Sequence, residues 1–192
     1  MNKSNSVLNL GFFLLLISAL CATLVSGVYS MTMPIIDKMQ QETIIAGYKE
    51  VYPSLDNTVK IDDKIIGMIK NIVAAEKQGE QSGIIYSVAS SGYAGDIDML
   101  VAFDIETKKI TGVKVLKQTE TPGLGANCTK PSFLGQFSGK SSIDDLNVVK
   151  KGSEGPLDIQ AITASTITTK AVVSGVNEAR THFMKNYVKA GS

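Results

Sequence analysis

Residues 161–172 read Ala161-Ile162-Thr163-Ala164-Ser165-Thr166-Ile167-Thr168-Thr169-Lys170-Ala171-Val172, a hydroxyl-rich loop running into an amphipathic helix. From Val172 the apolar residues Val176, Ala179, Phe183 and Tyr187 recur at helical spacing, with Lys170, Glu178, Arg180 and Lys185 on other faces. Thr166 and Thr168 therefore sit where backbone N–H groups lack helical partners and the helix dipole is positive. That setting favours a phosphate. An ordinary helix start, with Thr166 or Thr168 as its N-cap, accounts for the same residues.

Upstream, Glu120-Thr121-Pro122-Gly123-Leu124-Gly125 reads as a turn at Pro122-Gly123, with glycines that let backbone approach a flat ligand closely. A G-x-G spacing alone also suits a plain loop. Farther upstream, Ser91-Gly92-Tyr93-Ala94-Gly95 leads into an apolar strand. Ile97 to Ile105 and Ile110 to Leu116, joined at Glu106-Thr107-Lys108-Lys109, predict an antiparallel hairpin, and Ile84 to Ala89 is strand-like. The spacing of Ile61, Ile65, Ile66, Ile69, Ile72 and Val73 predicts an amphipathic helix up to about Gln78. Pro34 to Val51 reads as another helix, ended by Pro53. A loop-rich stretch spans Glu120 to Pro156, where Phe133, Leu134 and Phe137 are candidates to cap the core.

At the other end, no charge occurs between Lys3 and Asp37, and Val7 to Tyr29 is dominated by apolar and small residues. A bilayer core needs roughly 20 such residues in a helix, so this segment can span. Lys3 and the amino terminus favour a cytoplasmic start, with the body of the chain on the outer side. A cleaved signal peptide ending near Val28-Tyr29-Ser30 is the rival reading, although the apolar run is long for one. Leu20 before Cys21 is too large for the usual lipoprotein motif. Ser18, Ala22 and Ser26 form a small-residue stripe suited to helix packing.

Beyond the anchor, about 160 residues remain, enough for one domain with its own core. A net charge of +1 without basic clusters argues against nucleic acid as a partner. The single His, His182, and the two cysteines, Cys21 and Cys128, provide no metal-ligand spacing and no nucleophile–base pair. Cys128 follows the Gly-rich loop, where it is either close to a ligand or a buried, inert thiol. The residues alone thus describe an α+β domain on one N-terminal membrane helix.

The stretch Ile162 to Val172 resembles the flavinylation motif of the FMN-binding subunits of the Rnf and Na⁺-translocating NADH:quinone reductase complexes. That motif is close to S/T-G-A-T-x-T/S, and its Thr after Ala carries FMN through a phosphoester bond. Laid on this chain, the acceptor is Thr166, flanked by Thr163, Ile167 and Thr168. Ala164 and Ser165 stand where Gly and Ala are usual, and Gln160 where an Asp is often seen, with Asp158 the nearest acid. Ser165 adds a competing hydroxyl. The loop Glu120 to Gly125 is similar to the E-T-P-G-L-G loop of the same family, and Ser91 to Gly95 resembles its approach to the flavin domain. Length and layout are nearest to the G subunits of Rnf complexes.

The resemblance implies a cofactor, partners and a place. The fold would be a single transmembrane helix (1–30), a juxtamembrane helix and linker (31–59) and an antiparallel-sheet FMN-binding domain with flanking helices (60–192). FMN would be covalent on Thr166, making the chain a flavoprotein and phosphoprotein. Glu120, Thr121, Pro122, Gly123, Leu124, Gly125, Gly92, Tyr93, Thr163, Ala164, Ser165, Ile167 and Thr168 would surround it, without a metal. Partners would be the other subunits of an ion-translocating ferredoxin:NAD⁺ oxidoreductase, membrane lipid, and a flavin transferase during maturation. The chain would cross the bacterial cytoplasmic membrane once, its FMN domain outside, as an electron relay. The alternatives are an anchored FMN module of a different electron-transfer or reductase system, and an anchored scaffold without cofactor.

Overall fold

The computed structural model describes residues 3–61, 65, 67–150 and 155–188, with side chains from residue 9 onward except Asp37. The chain forms two units, Met1–Thr43 and Ile44–Ser192. Helix α1 covers Lys3–Val51. Within it, Asn9–Val51 carries an apolar window of mean hydropathy 2.2, none of it buried, which is long enough to cross a membrane. Leu10, Phe12, Leu14, Leu20 and Leu24 lie exposed there, as lipid-facing side chains do. This is consistent with a single-pass membrane protein. The helix stops at Val51 because Pro53 disfavours helical backbone at Tyr52 and offers no N–H of its own.

The second unit is built on an antiparallel meander of five strands in sequence order: β1 (Asn57–Lys60), β2 (Ile69–Lys77), β3 (Glu80–Ser91), β4 (Asp96–Asp104) and β5 (Lys109–Lys117). Both faces of the sheet are covered. Ile84, Tyr86 and Val88 of β3, with Ile97, Met99, Val101 and Phe103 of β4, point to one side and meet Val172, Val176, Ala179 and Phe183 of helix α3 (Thr166–Asn186). Ile85, Leu100 and Ala102 point to the other, against Tyr48, Val51 and Tyr52. The period of two along each strand produces this division. Phe183 stacks on Phe103 with ring centroids 4.8 Å apart, pinning the C-terminal half of α3 to the sheet.

The hairpin of β4 and β5 forms where the two apolar runs flanking the polar turn at Glu106–Lys109 place it. The helix expected over residues 61–78 does not: Ile69–Lys77 is strand β2, and Ile66 lies outside the described residues. Its pairing with β3 slips between Ile69 and Asn71, so one extra residue is inserted as a bulge. Ile69 and Ile72 consequently share the α3 side of the sheet at a spacing of three, which imitates one helical turn. Val73 and Ala75 are buried on the opposite face, as a strand between two layers requires.

The loop-rich stretch after β5 holds a 3-10 turn (Gly125–Thr129), the single-turn α2 (Pro131–Leu134) and a small parallel pair, β6 (Asn147–Val149) with β7 (Asp158–Gln160). Phe133 and Phe137 are buried and pack edge to face at 5.6 Å. Cys128 is fully buried; burial, with the nearby Glu120 charge adding to it, pushes its thiol up to about 11. It is therefore the inert thiol of the two readings.

Close backbone packing holds residues 44–51 to the sheet. A Cβ on Gly112 would sit 2.9 Å from both the Cα and the carbonyl oxygen of Val51, while Thr111 Oγ1 donates to that carbonyl at 2.7 Å. Gly112→Ala is expected to destabilise the domain by about 1–3 kcal/mol, because neither backbone segment can yield like a flexible side chain. A chemical-denaturation midpoint equal to wild type would show that the Val51 turn is not held as closely as this.

Candidate functional site

Three segments far apart in sequence meet at the amino end of α3. The first is that end itself. Ser165 occupies the N-cap position, in place of the expected Thr166 or Thr168, and makes no side-chain capping bond. The reason lies in the preceding turn. Ser165 N–H donates to the Ile162 carbonyl at 3.0 Å, and Thr169, fully buried, donates its hydroxyl to the Ser165 carbonyl while accepting from Ile162 N–H. Thr169 thus closes the loop that a capping side chain would otherwise close. The first intrahelical bond runs from Thr169 N–H to Ser165 O, so the N–H groups of Thr166, Ile167 and Thr168 have no acceptor within the helix.

The hydroxyls of this segment differ sharply in accessibility. Thr163 and Thr166 are exposed, whereas Ser165 is buried and Thr168 only 2% exposed. Thr168 is also committed: its hydroxyl donates to Glu120 Oε2 at 2.6 Å. Ala164 has a φ of +59°, the left-handed region that a side chain disfavours. Glycine at this position would remove the clash, so Ala164→Gly is expected to stabilise the domain by about 1 kcal/mol and raise its melting midpoint by about 2–4 °C. An unchanged or lower midpoint in a thermal melt would locate the loop's strain elsewhere.

Glu120 joins the other two segments to the first. Only 5% exposed, it accepts at Oε1 from the backbone N–H groups of Tyr93 and Ala94, at 2.8 and 2.9 Å, and at Oε2 from Thr168. Its own N–H donates to Gln118 Oε1 at 2.6 Å. Two glycines make room for the carboxylate. A Cβ on Gly92 would lie 2.4 Å from Oε1, and one on Gly125 would lie 2.4 Å from Oε2 and 2.7 Å from the Thr168 hydroxyl. Burial alone would raise the Glu120 carboxyl, but the Thr168 hydroxyl and the N–H groups of Ala94 and Tyr93 outweigh it and hold the group below the usual glutamate range.

A cleft of about 480 Å³ opens beside this knot, lined by Tyr93, Glu120, Thr121, Leu124 and residues 164–168. Its size lies within the range of small-molecule sites, about 300–1,000 Å³. Tyr93, Leu124 and Ile167 stand 72%, 43% and 56% exposed around it, so apolar surface rims the cleft. Gly92, Tyr93, Glu120, Thr121, Leu124, Gly125, Ala164, Ser165, Thr166, Ile167 and Thr168 are thus brought together. Pro122 and Gly123, at φ +78°, form the exposed tip of the neighbouring turn, and Thr163 lies just outside the lining.

The 120–125 loop spends much of its own hydrogen bonding internally. Leu124 and Ala126 N–H both donate to the Thr121 carbonyl, and Asn127 Nδ2 holds the Gly123 carbonyl at 2.8 Å. Those N–H groups are therefore not offered to a ligand. Gln118, Ala94 and Thr169 also support the site: Ala94 and Thr169 lie within the quoted motifs without being singled out there, and Gln118 lies outside any motif. No group of three or more His, Cys, Asp or Glu side chains suited to a metal occurs among the described residues.

Residues 92–181, which hold all three segments, match the model of the FMN-binding domain family. The chain is 36% identical over 185 residues to the G subunit of the Na(+)-translocating ferredoxin:NAD(+) oxidoreductase complex of Acetobacterium woodii, spanning 89% of this chain and 88% of that one. It belongs to the family of Rnf complex G subunits. Within that family, the G subunit of the proton-translocating ferredoxin:NAD(+) oxidoreductase complex of Clostridium ljungdahlii is also 36% identical, over 81% of this chain and 80% of its own. The fold of the family extends to a solved structure, the C subunit of the Na(+)-translocating NADH-quinone reductase of Parabacteroides distasonis. That structure has a TM-score of 0.57 over 71% of this chain and 80% of its own, at 22% identity.

Proposed function

We propose that this chain is the membrane-anchored flavin carrier of an Rnf-type ion-translocating ferredoxin:NAD⁺ oxidoreductase, holding FMN on Thr166 through a phosphoester. The observation that carries the reading is the exposed Thr166 hydroxyl at an open helix N-terminus beside the cleft. The residues fit the group. Uncapped N–H groups and the helix dipole suit a phosphodiester, and Tyr93, Leu124 and Ile167 offer apolar surface to a planar ring. Relatives that are subunits of such complexes, and the FMN-binding domain match, support the assignment.

Attachment would be a phosphoryl transfer from FAD, carried out by a flavin transferase with Mg²⁺. The Thr166 oxygen attacks the phosphorus of the FMN half, the bridging P–O bond to the AMP half breaks, and AMP leaves. The hydroxyl proton passes to a base of the transferase. Bound FMN would supply the electron-transfer chemistry, while the chain's residues place the ring and exclude water. We place the domain on the extracytoplasmic side, following the positive amino end at Lys3, where a covalent link keeps a cofactor that is hard to replace. The test is intact mass and in-gel flavin fluorescence of denatured protein, wild type beside Thr166→Val, each co-expressed with the transferase. No mass gain in the wild type would remove the carrier reading.

A further inference from the structure

Glu120 is chemically out of the ordinary for a residue whose obvious work is to tie loops together. Its carboxylate is buried, lines the cleft, and is satisfied only by neutral donors: two backbone N–H groups and one hydroxyl. Among the described residues no Lys, Arg or His pairs with it. A structural tie needs only acceptors, which a neutral amide or a backbone carbonyl supplies without the cost of a buried charge. Neutral donors leave the net negative charge in place, and a bound group that displaces water from the cleft would feel it at short range.

We propose that Glu120 is an electrostatic positioning residue that lowers the reduction potential of the flavin held at Thr166. The inference rests on the carrier reading given above. Two-electron reduction of a flavin with uptake of one proton adds one negative charge to the ring, and a fixed anion lining the cleft opposes that charge. The effect is set by the charge of Glu120, and Thr168 moderates it by donating its hydroxyl to Oε2. This arrangement runs against the helix N-terminus, whose positive end favours negative charge at the phosphate. The site thereby combines a cationic field for the anchor with an anionic one for the ring.

The experiment is a dithionite titration against reference dyes at a pH where Glu120 is ionised. It compares loaded wild type, Glu120→Gln and Thr168→Val, with intact mass in parallel to confirm flavin on each. Glutamine keeps the shape and removes the charge, so its reduced-to-oxidised ratio at a given potential is expected to rise at least tenfold, about 30 mV for a two-electron couple. Thr168→Val removes a donor and leaves the charge less shielded, so its potential is expected to fall. Opposite signs from two changes that loosen the same knot distinguish charge from structure. A fully loaded Glu120→Gln protein with wild-type potential overturns the proposal. If that variant does not load, a potential in Thr168→Val equal to or above wild type overturns it, and a fall sustains it. Wild type without flavin by mass would instead sink the carrier reading, and this inference with it.

Discussion

Thr166→Val is expected to abolish covalent flavin completely while leaving the domain folded. The two halves of that result have separate physical grounds. Valine retains the branched shape at the first helical position but has no oxygen to form the phosphoester. The neighbouring hydroxyls are poor substitutes: Ser165 is buried, and Thr168 is buried with its proton held by Glu120. Thr169 is fully buried between Ile162 and Ser165. Thr163 alone shares the exposure of Thr166, but it precedes the left-handed residue Ala164 and lies outside the cleft lining. Stability should change by no more than about 0.5 kcal/mol, as for other exposed positions without a capping or packing role. Intact mass and a thermal melt on the same preparation check both halves. Flavin retained at full stoichiometry would transfer the attachment to Thr163. A melt lowered by several degrees would show that the Thr166 side chain supports the helix start after all.

What the sequence made legible was local. The β4–β5 hairpin announces itself through two short apolar runs on either side of a polar turn, and α3 through apolar residues from Val172 to Phe183 at helical spacing. Strand β2 was hidden by its own bulge, because Ile69 and Ile72 fall three apart on one face and β-branched residues continue beyond them. Periodicity cannot separate that pattern from a short helix when both faces of a strand are buried. The segments of the site carry visible motifs, yet their meeting does not: Glu120 reaches Tyr93 across 27 residues and Thr168 across 48. Nothing in a one-dimensional pattern says that Gly92 and Gly125 both exist to admit one carboxylate. That the N-cap is Ser165, and neither Thr166 nor Thr168, is hidden for a similar reason. Thr169 does the closing work from inside the helix, a bond between side chain and loop that propensity does not encode.

The second large effect concerns that carboxylate as a structural element. Glu120→Ala is expected to destabilise the domain by about 3 kcal/mol, since it strands the N–H groups of Tyr93 and Ala94 and the Thr168 hydroxyl in a buried setting. For a chain of this size that loss corresponds to a melting midpoint lower by about 6–12 °C. The pH dependence identifies the cause. The Glu120 carboxyl is held below its ordinary value in the folded protein. A group of that kind contributes stability that is complete above its unfolded pKa, about 4.3, and is lost as the pH falls through the lower folded-state value. The gap in stability between wild type and Glu120→Ala should therefore be constant from about pH 6 to 8 and narrow below about pH 4. Denaturation curves at a series of pH values measure it directly. A gap that persists unchanged into acid would assign the loss to the missing side-chain volume, and a gap near zero at neutral pH would mean that water replaces the carboxylate at the junction of the three segments.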